Sequence, residues 1–472
     1  MEQAGFPSEG ATRAPGSPPE LAAAARGARS RLLVLLSVGF VAGLMLRYLA
    51  REHATSDAVR YLIPWYRFAH DHGAAGLGQA FTNYTPLYSY LLLAATWFDG
   101  LGEPLSLVKA ISALFELGCA VVSATIVWRA SRSPLRSALA FCGVWLAPTV
   151  LFNGAVWGQA DSIWTFFILV SVGLFIERRN GVLPFALAFA VKAQAAFLGP
   201  FVLGIMIRRR LHWAWLAAVP AVYLFLALPV LAAGRSLASV LEVYLDQAGT
   251  FHRLTMNAAN LWVFAGGAPY AVGVPLGLGI AAAAGLALAV MLARSRRDDA
   301  EFLLLAACAS LLLMPYLLPK MHDRYFYAFE VAAIVLACLN PRYLPFAVVA
   351  HVDGLLSYLA FERGTVMGVL PAALCNGVLA AYLVADLCRP GCSNRAPTAV
   401  WLGFAGSVAG LFAYLLLADP GVSTPLAFLL VSGLTAVMAL LLVRGSAPAP
   451  SPPGSGLPSW NPVLALRRRS SP

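Results

Sequence analysis

The sequence predicts an all-α, polytopic integral membrane protein, and three observations support this prediction. Of its 472 residues, 60% are hydrophobic and only 12% are charged, whereas a soluble domain carries about 25% charged residues. Apolar runs of about 20 residues, long enough to cross a bilayer as a helix, recur along the chain. The basic residues, which give a net charge of +11, cluster in short hydrophilic segments between these runs, where they set the orientation of a membrane protein.

Several functional classes are disfavoured by the same composition. Because the positive charge lies in short loops, it indicates membrane orientation rather than nucleic-acid binding. Most of the seven cysteines lie within apolar runs, and the close pair Cys388 and Cys392 falls in a loop predicted to be cytoplasmic. We therefore expect neither disulfides nor a zinc site. No P-loop, GxGxxG, HExxH or GxSxG motif occurs in the sequence, so nucleotide, serine and zinc hydrolysis lack support.

The first apolar run, 31–50, follows a cluster of arginines, which predicts a cytoplasmic N-terminus and an outward-going span. A cleaved signal peptide is the alternative, but the run is long and lacks an Ala-x-Ala exit. Segment 51–103 then lies outside. Its apolar stretch 87–98 is too short to span, which predicts a helix lying at the membrane surface.

Alternating basic clusters continue this threading to a cytoplasmic C-terminus. Segment 182–207 has basic clusters at both ends but is short for two full spans, so we expect a hairpin of broken helices with Lys192 near its outer tip. Segment 234–268 is predicted to be an outer loop. With the hairpin counted twice, the total is about 14 spans. The remaining predicted spans are 104–128, 136–152, 160–177, 212–233, 270–293, 301–318, 325–339, 343–361, 365–387, 398–417 and 424–443.

The threading brings the chemically distinctive residues to the outer face, and two groups there contain acids. Asp57 lies beside aromatic residues just after the first span, where it can act as a general base or simply cap a short helix. Trp157, Gln159 and Asp161 lie close together between two spans. An aromatic face with amide and acid partners suits a carbohydrate, whereas interfacial anchoring by Trp157 and helix capping by Asp161 are the alternatives.

Cationic residues reach the same face. Lys192, with Gln194 beside it, interrupts an apolar stretch, and an ionisable residue inside a membrane is a functional candidate unless it snorkels to the interface. Lys320, His322 and Arg324 lie within five residues at an outer helix end, where the positive-inside rule disfavours cations. These groups fit a lipid phosphate, and anchoring to anionic headgroups is the alternative.

With these segments placed, the chain resembles bacterial glycosyltransferases of the GT-C fold. The resemblance is strongest to the group related to the second mannosyltransferase of GPI-anchor assembly, and it covers roughly residues 50–360. The matching stretches are Asp57 through Pro64-Trp65-Tyr66, Asn83-Tyr84-Thr85-Pro86, Asn153 through Gly158-Gln159-Ala160-Asp161, Lys192-Ala193-Gln194, Asn257-Ala258-Ala259-Asn260-Leu261-Trp262, and Pro319-Lys320-Met321-His322-Asp323-Arg324-Tyr325.

This resemblance implies a polyprenyl-phosphate sugar donor and a catalytic acid in the first outer loop, which Asp57 matches by position. Many GT-C enzymes carry a second acid beside it, whereas this chain has Ser56, so Asp161 is the alternative base. The implied reaction transfers a hexose, with mannose as first candidate, to a hydroxyl of a glycan, lipid or protein, with inversion. Tyr84, Asn257 and Asn260 join the expected substrate-binding residues. Metal-independent catalysis is expected, with a divalent cation as the alternative.

The resemblance also divides the chain and places it. Residues 29–361 are expected to form a GT-C-like catalytic membrane domain, followed by additional helices at 362–445. The segments 1–28 and 446–472 are predicted to be disordered cytoplasmic tails. The expected location is a bacterial inner membrane with the active site facing out. A transporter or a flippase for lipid-linked sugars is the alternative, but its polar residues would lie near the membrane midplane rather than at one face.

Overall fold

The computed structural model describes residues 18–265, 267–364 and 368–388, and these ranges contain sixteen α-helices. The helices are α1 (Pro18–Ala50), α2 (Ile63–His72), α3 (Pro86–Thr96), α4 (Pro104–Ser131), α5 (Pro134–Trp145), α6 (Pro148–Leu151), α7 (Asp161–Ile176), α8 (Val182–Val191), α9 (Gly199–Arg208), α10 (Ala218–Ala232), α11 (Leu237–Gly249), α12 (Tyr270–Arg294), α13 (Ala300–Leu317), α14 (Tyr327–Leu339), α15 (Leu344–Arg363) and α16 (Val369–Cys388). Two short parallel strands, β1 (Thr255–Met256) and β2 (Met321–His322), join the loops before α12 and after α13.

Eight helical segments within the described ranges are long and apolar enough to cross a membrane, which confirms the prediction of an all-α, polytopic membrane protein. These segments are Arg26–Ala50, Pro104–Ser131, Pro134–Trp157, Trp213–Ala232, Tyr270–Arg294, Ala300–Leu317, Pro341–Arg363 and Val369–Cys388. The predicted total of about 14 spans stays a prediction. The predicted spans 398–417 and 424–443, the tail 446–472 and Cys392 lie outside the described residues.

The structure shows two helical stretches that the sequence analysis did not predict. Helix α1 already begins at Pro18, inside the segment 1–28 that was expected to be disordered. The alanine-rich stretch 21–25 favours helix, and a proline is well suited to a first helical turn. Residues 234–268, predicted to be an outer loop, contain helix α11, whose N-terminus is capped where Ser236 Oγ accepts a hydrogen bond from the main-chain N–H of Ser239, 3.1 Å away.

The break predicted within residues 182–207 is confirmed, but α8 packs mainly against α7 and α10, and α9 against α12, rather than against each other as a hairpin. Helix α8 ends at Val191, Lys192 is extended with φ −156°, and a tight helical turn over 193–198 leads into α9. The break places the ammonium of Lys192 beside Asp161 at the start of α7. It also puts irregular backbone inside the protein, where buried polar groups can supply the hydrogen bonds that lipid cannot.

Helix α7 lies inside the bundle, packed against α4, α8, α13 and α14. Its side chains Trp164, Ile168 and Phe175 are fully buried, which explains why the helix is apolar on nearly all sides. Because α7 starts at Asp161, the packing of this helix fixes an acid at one end of the bundle.

Candidate active site

Asp57 is positioned by the chain that leaves the end of α1. The ammonium of Lys109, on α4, donates hydrogen bonds to the carbonyls of Ala50 (2.8 Å) and His53 (2.7 Å). The last carbonyls of a helix need such donors because they have no partner within the helix. Thr55 Oγ1 then accepts a hydrogen bond from the main-chain N–H that follows Asp57. These contacts tie the Asp57 segment to two helices.

The carboxylate of Asp57 is half-buried and contacts the segment between α6 and α7. Its Oδ2 accepts hydrogen bonds from Trp157 Nε1 (3.0 Å) and Gln159 Nε2 (3.2 Å). The hydroxyl of Tyr84 donates to Gln159 Oε1 at 3.4 Å. The structure therefore brings together four residues that the sequence analysis selected from three separate segments. Both hydrogen bonds to the Asp57 carboxylate are made to the same oxygen, Oδ2.

Two glycines allow this close approach. Residues 152–157 form a widened helical turn that stops at Gly158, whose φ of +82° is left-handed and favours glycine. A Cβ on Gly158 would lie 2.8 Å from Leu62 Cδ1, and a Cβ on Gly154 would lie 1.8 Å from Glu116 Oε1. Larger residues at these positions would push the Trp157 segment away from Asp57.

Asp161 is fully buried, and its two oxygens are already occupied. Lys192 Nζ (2.5 Å) and Trp164 Nε1 (3.1 Å) donate to Oδ1, and Asn153 Nδ2 donates to Oδ2 at 3.1 Å. Arg324 Nε lies 3.5 Å from Oδ2. This arrangement favours Asp161 as the counter-ion that holds the two cations, rather than as the alternative base.

The two cations lie over aromatic rings that also line the Asp57 side of the cluster. The guanidinium of Arg324 is 5.3 Å from the ring centre of Trp157, and the ammonium of Lys192 is 5.4 Å from that of Tyr84 and 6.0 Å from that of Tyr325. Cations at these distances are attracted to the ring faces. The cationic group and the Asp57 group are thus parts of one site, joined through the side chains of Trp157 and Tyr84.

His322 lies at the edge of this site and acts as a neutral group. Its ring centre is 5.2 Å from those of Phe251 and Tyr325. Burial, together with the positive charges of Arg324 and Lys192, lowers the pKa of His322 to about 3. A neutral imidazole donates one N–H, so His322 can hydrogen-bond an anion without adding charge.

Asp323 is also buried, with Oδ1 3.5 Å from Arg324 Nη1. Burial raises the pKa of Asp323 to about 7, against the opposing effect of Arg324. The pKa of Arg324 is itself raised, because the attraction of Asp161 and Asp323 outweighs the effect of burial. Arg324 therefore keeps its charge at every pH the protein meets.

Four selected residues contribute less directly. Lys320 Nζ donates to the hydroxyl of Tyr270 at 2.6 Å. Asn260 uses both ends of its amide on main-chain groups, which makes it a brace between the loops before α12 and after α13. Asn257 has a left-handed φ of +57° and bridges His322 through the main chain. Gln194 is buried, and its Oε1 has no hydrogen-bond partner among the described residues.

The sequence analysis missed several residues of the site. Lys109 was an ionisable residue inside the predicted span 104–128, which is the same signal that singled out Lys192. Asn153 and Tyr325 lay inside the matched stretches but received no role. Trp164, whose indole donates to Asp161, carried no signal, because a tryptophan in an apolar run usually packs in the core.

Within the described ranges, no group of three or more His, Cys, Asp or Glu side chains comes together that could hold a metal ion. The arrangement offers a partly exposed carboxylate at the edge of the Trp157 ring, with the guanidinium of Arg324 over that ring and the buried ammonium of Lys192 over the ring of Tyr84. Such a site can accept a proton at the carboxylate and stabilise a developing anion at the two cations.

The fold defines the class as an all-α polytopic membrane protein. No protein-family model matches the sequence, and no curated protein matches it. Among solved structures, the chain is similar to ArnT from Cupriavidus metallidurans, a crystal structure described as bound to undecaprenyl phosphate. That match has a TM-score of 0.48 and 14% sequence identity, and it covers 85% of this chain and 77% of the ArnT chain.

Proposed function

We propose that the protein is an integral membrane glycosyltransferase that moves a sugar from a lipid-linked phosphate donor to an acceptor hydroxyl. The observation that carries this proposal is the position of Trp157. Its indole N–H donates to Asp57, and its ring lies 5.3 Å from the guanidinium of Arg324. The same buried indole therefore contacts a candidate base through its N–H and a candidate phosphate-binding group through its ring, which brings the two groups into one site.

Asp57 is the proposed base. Trp157 and Gln159 hold Oδ2, so Oδ1 can take the proton of an acceptor hydroxyl that enters from the exposed side. Hydrogen bonds from two neutral donors fix the direction of the carboxylate without cancelling its charge. The hydroxyl oxygen then forms a bond to the anomeric carbon as the bond from that carbon to the phosphate oxygen breaks.

Lys192 and Arg324 are the proposed phosphate ligands, with His322 as a neutral donor. Asp161 holds both cations before the substrate arrives, so no reorganisation is needed as charge builds on the departing phosphate. Attack from the Asp57 side, with departure on the Arg324 side, inverts the configuration at the anomeric carbon. Opposed base and leaving-group sites are the logic of inverting glycosidases as well.

The finer assignments extend this proposal. A polyprenyl phosphate hexose, with mannose as first candidate, would present its phosphate at the membrane surface, where Lys192 and Arg324 lie beside the helix break. The acceptor is a hydroxyl of a glycan, lipid or protein. Threading by the positive-inside rule assigns the site to the extracytoplasmic side of a bacterial inner membrane.

The test uses the full chain reconstituted in nanodiscs with radiolabelled polyprenyl-phosphate mannose and a membrane extract as acceptor. We expect Asp57→Asn to lower transfer by about 10²- to 10⁴-fold while donor binding is unchanged. We expect Arg324→Gln to weaken donor binding by roughly ten- to a hundredfold. Glu52→Gln is the matched control, because Glu52 is an exposed acid in the same segment as Asp57.

Equal transfer by wild type and Asp57→Asn would remove Asp57 as the base. Absence of transfer by wild type with a panel of polyprenyl-linked sugars would overturn the transferase proposal. Movement of labelled donor between the leaflets of sealed vesicles that contain the protein would favour the flippase instead.

A further inference from the structure

Three arginines converge on one aspartate at the end of α7 that is remote from Asp161. Asp298, in the loop between α12 and α13, lies 3.0 Å from Arg178 Nη2, 2.9 Å from Arg209 Nη2 and 3.9 Å from Arg208 Nε. Helix α7 has 16 residues and is about 24 Å long. This arginine cluster, defined by Arg178, Arg208, Arg209 and Asp298, therefore lies on the membrane face opposite the candidate active site.

The charges in the arginine cluster do not balance. Three guanidinium groups face one carboxylate, which leaves an excess of two positive charges. Arg208 Nη1 and Arg209 Nε are buried atoms that have no hydrogen-bond partner among the described residues. Buried charged donors without acceptors are costly, and such groups in a native protein frequently mark the place of an ion or water.

Helix capping accounts for only part of this arrangement. Arg209 Nη1 donates to the carbonyl of Phe175 at 2.7 Å, near the end of α7, where a cation is favoured by the helix dipole. A positive cytoplasmic face likewise favours arginine in general. Neither effect requires three guanidinium groups around a single carboxylate, and neither supplies an acceptor for the orphaned donors.

We propose that the arginine cluster is a binding site for a phosphate group. The planar donor fork of a guanidinium matches phosphate oxygens in pairs. A phosphate can reach the cluster from solvent at Arg178, because its side chain is 73% exposed, whereas those of Arg208 and Arg209 are 13% and 15% exposed. The phosphate belongs either to an anionic phospholipid headgroup of the leaflet opposite the active site or to free phosphate.

Occupation of this site would stabilise the helices that carry the candidate active site. Arg178 follows α7, which begins at Asp161, and Arg208 ends α9, which follows Lys192. A phosphate between these arginines would hold the far ends of both helices against the loop that contains Asp298. This inference does not depend on the proposed glycosyl transfer, because the site is identified by binding and not by activity.

The experiment measures thermal unfolding of the full chain in phosphatidylcholine nanodiscs at fixed ionic strength. One arm adds increasing phosphatidylglycerol, and a second arm adds inorganic phosphate to nanodiscs without it. We expect the unfolding temperature to rise and reach a plateau as the amount of ligand increases. Arg178→Gln should raise the ligand concentration at half-maximal shift about tenfold. Asp298→Asn should lower that concentration, because it removes the competing carboxylate. Arg296→Gln, an exposed arginine in the same loop, is the charge-matched control.

A response to phosphatidylglycerol alone supports a headgroup site, and an equal response to inorganic phosphate supports a site for free phosphate. Equal weakening by Arg178→Gln and Arg296→Gln would overturn the proposal in favour of diffuse charge attraction. No saturable shift in either arm would also overturn it. If Arg178→Gln does not fold, the opposite effect expected for Asp298→Asn still decides the question.

Discussion

The ammonium of Lys192 lies 2.5 Å from Oδ1 of Asp161, and both side chains are almost completely buried. This ion pair connects the break between α8 and α9 to the start of α7. Arg324, from the loop after α13, reaches the other oxygen of the same carboxylate. The cationic half of the candidate site is therefore assembled around one acid, and its integrity depends on that acid.

Breaking the Asp161–Lys192 pair should destabilise the protein more than removing it altogether. We expect Asp161→Asn to lower the free energy of unfolding by about 3–5 kcal/mol, because it leaves a buried cation uncompensated. The double variant with Lys192→Met should recover the part of this loss that comes from Lys192, because Arg324 still lacks Asp161, and it should not bind donor. Denaturant unfolding in nanodiscs measures the first effect, and a donor-binding assay measures the second.

The exposed acid Asp71, whose side chain is 66% exposed, provides the control substitution Asp71→Asn with little expected effect. Losses that simply add in the Asp161→Asn and Lys192→Met double variant would show that the two groups do not act as a pair.

Gln159 should affect catalysis rather than donor binding. Its amide joins Tyr84 to Asp57, so Gln159→Leu leaves the carboxylate with one orienting donor. We expect kcat to fall by roughly ten- to a hundredfold, which corresponds to one hydrogen bond to a charged group. The KM for donor should stay constant in steady-state kinetics. Gln247→Leu removes a glutamine from an exposed contact and should leave kcat unchanged; an equal fall there would refute the assignment.

Lys109 is expected to be a positioning residue. Its ammonium holds the carbonyls of Ala50 and His53, shortly before Asp57. Lys109→Met should lower kcat about tenfold and leave donor binding unchanged. The two lost hydrogen bonds have only this modest effect because water can bind the freed carbonyls. Lys109→Arg, which keeps the charge and the donors, should restore most of the activity. Failure of this rescue, with a fully folded protein, would contradict a positioning role.

The buried carboxyl of Asp323 predicts a dependence of stability on pH. Burial raises its pKa from 3.8 to about 7, so within this window the folded protein retains a proton that the unfolded chain has lost. The contribution of Asp323 to the free energy of unfolding therefore falls as pH rises from about 4 to about 7, and it is constant above about pH 7. His322 acts in the opposite direction, because burial lowers its pKa from 6.5 to about 3.

The contribution of Asp323 is isolated by comparing wild type with Asp323→Asn. We expect the stability difference between the two proteins to change steadily across this window, with the variant gaining relative to wild type as pH rises. Thermal unfolding at a series of pH values measures the difference. A difference that is independent of pH would show that the carboxyl is not protonated in the folded protein.

Spacing in the sequence was sufficient to predict the helix break at Lys192. Two basic clusters separated by too few residues for two spans leave few alternatives, and an isolated lysine in an apolar run indicated the break. The same spacing did not predict the helix at Leu237–Gly249, because that segment is polar on one side and lies in a loop defined only by its flanking spans.

The sequence by itself determined that the chain is a helical membrane protein and which residues are chemically unusual, because hydrophobic run length and charge position are local properties. The tertiary structure decided which role each of those residues can have in the site. Residue type alone does not distinguish Asp57 from Asp161. Helix packing leaves the side chain of Asp57 half-exposed and places Lys192 and Arg324 around Asp161. Pairing between residues a hundred or more apart in the sequence depends on how the helices pack, which no local pattern determines.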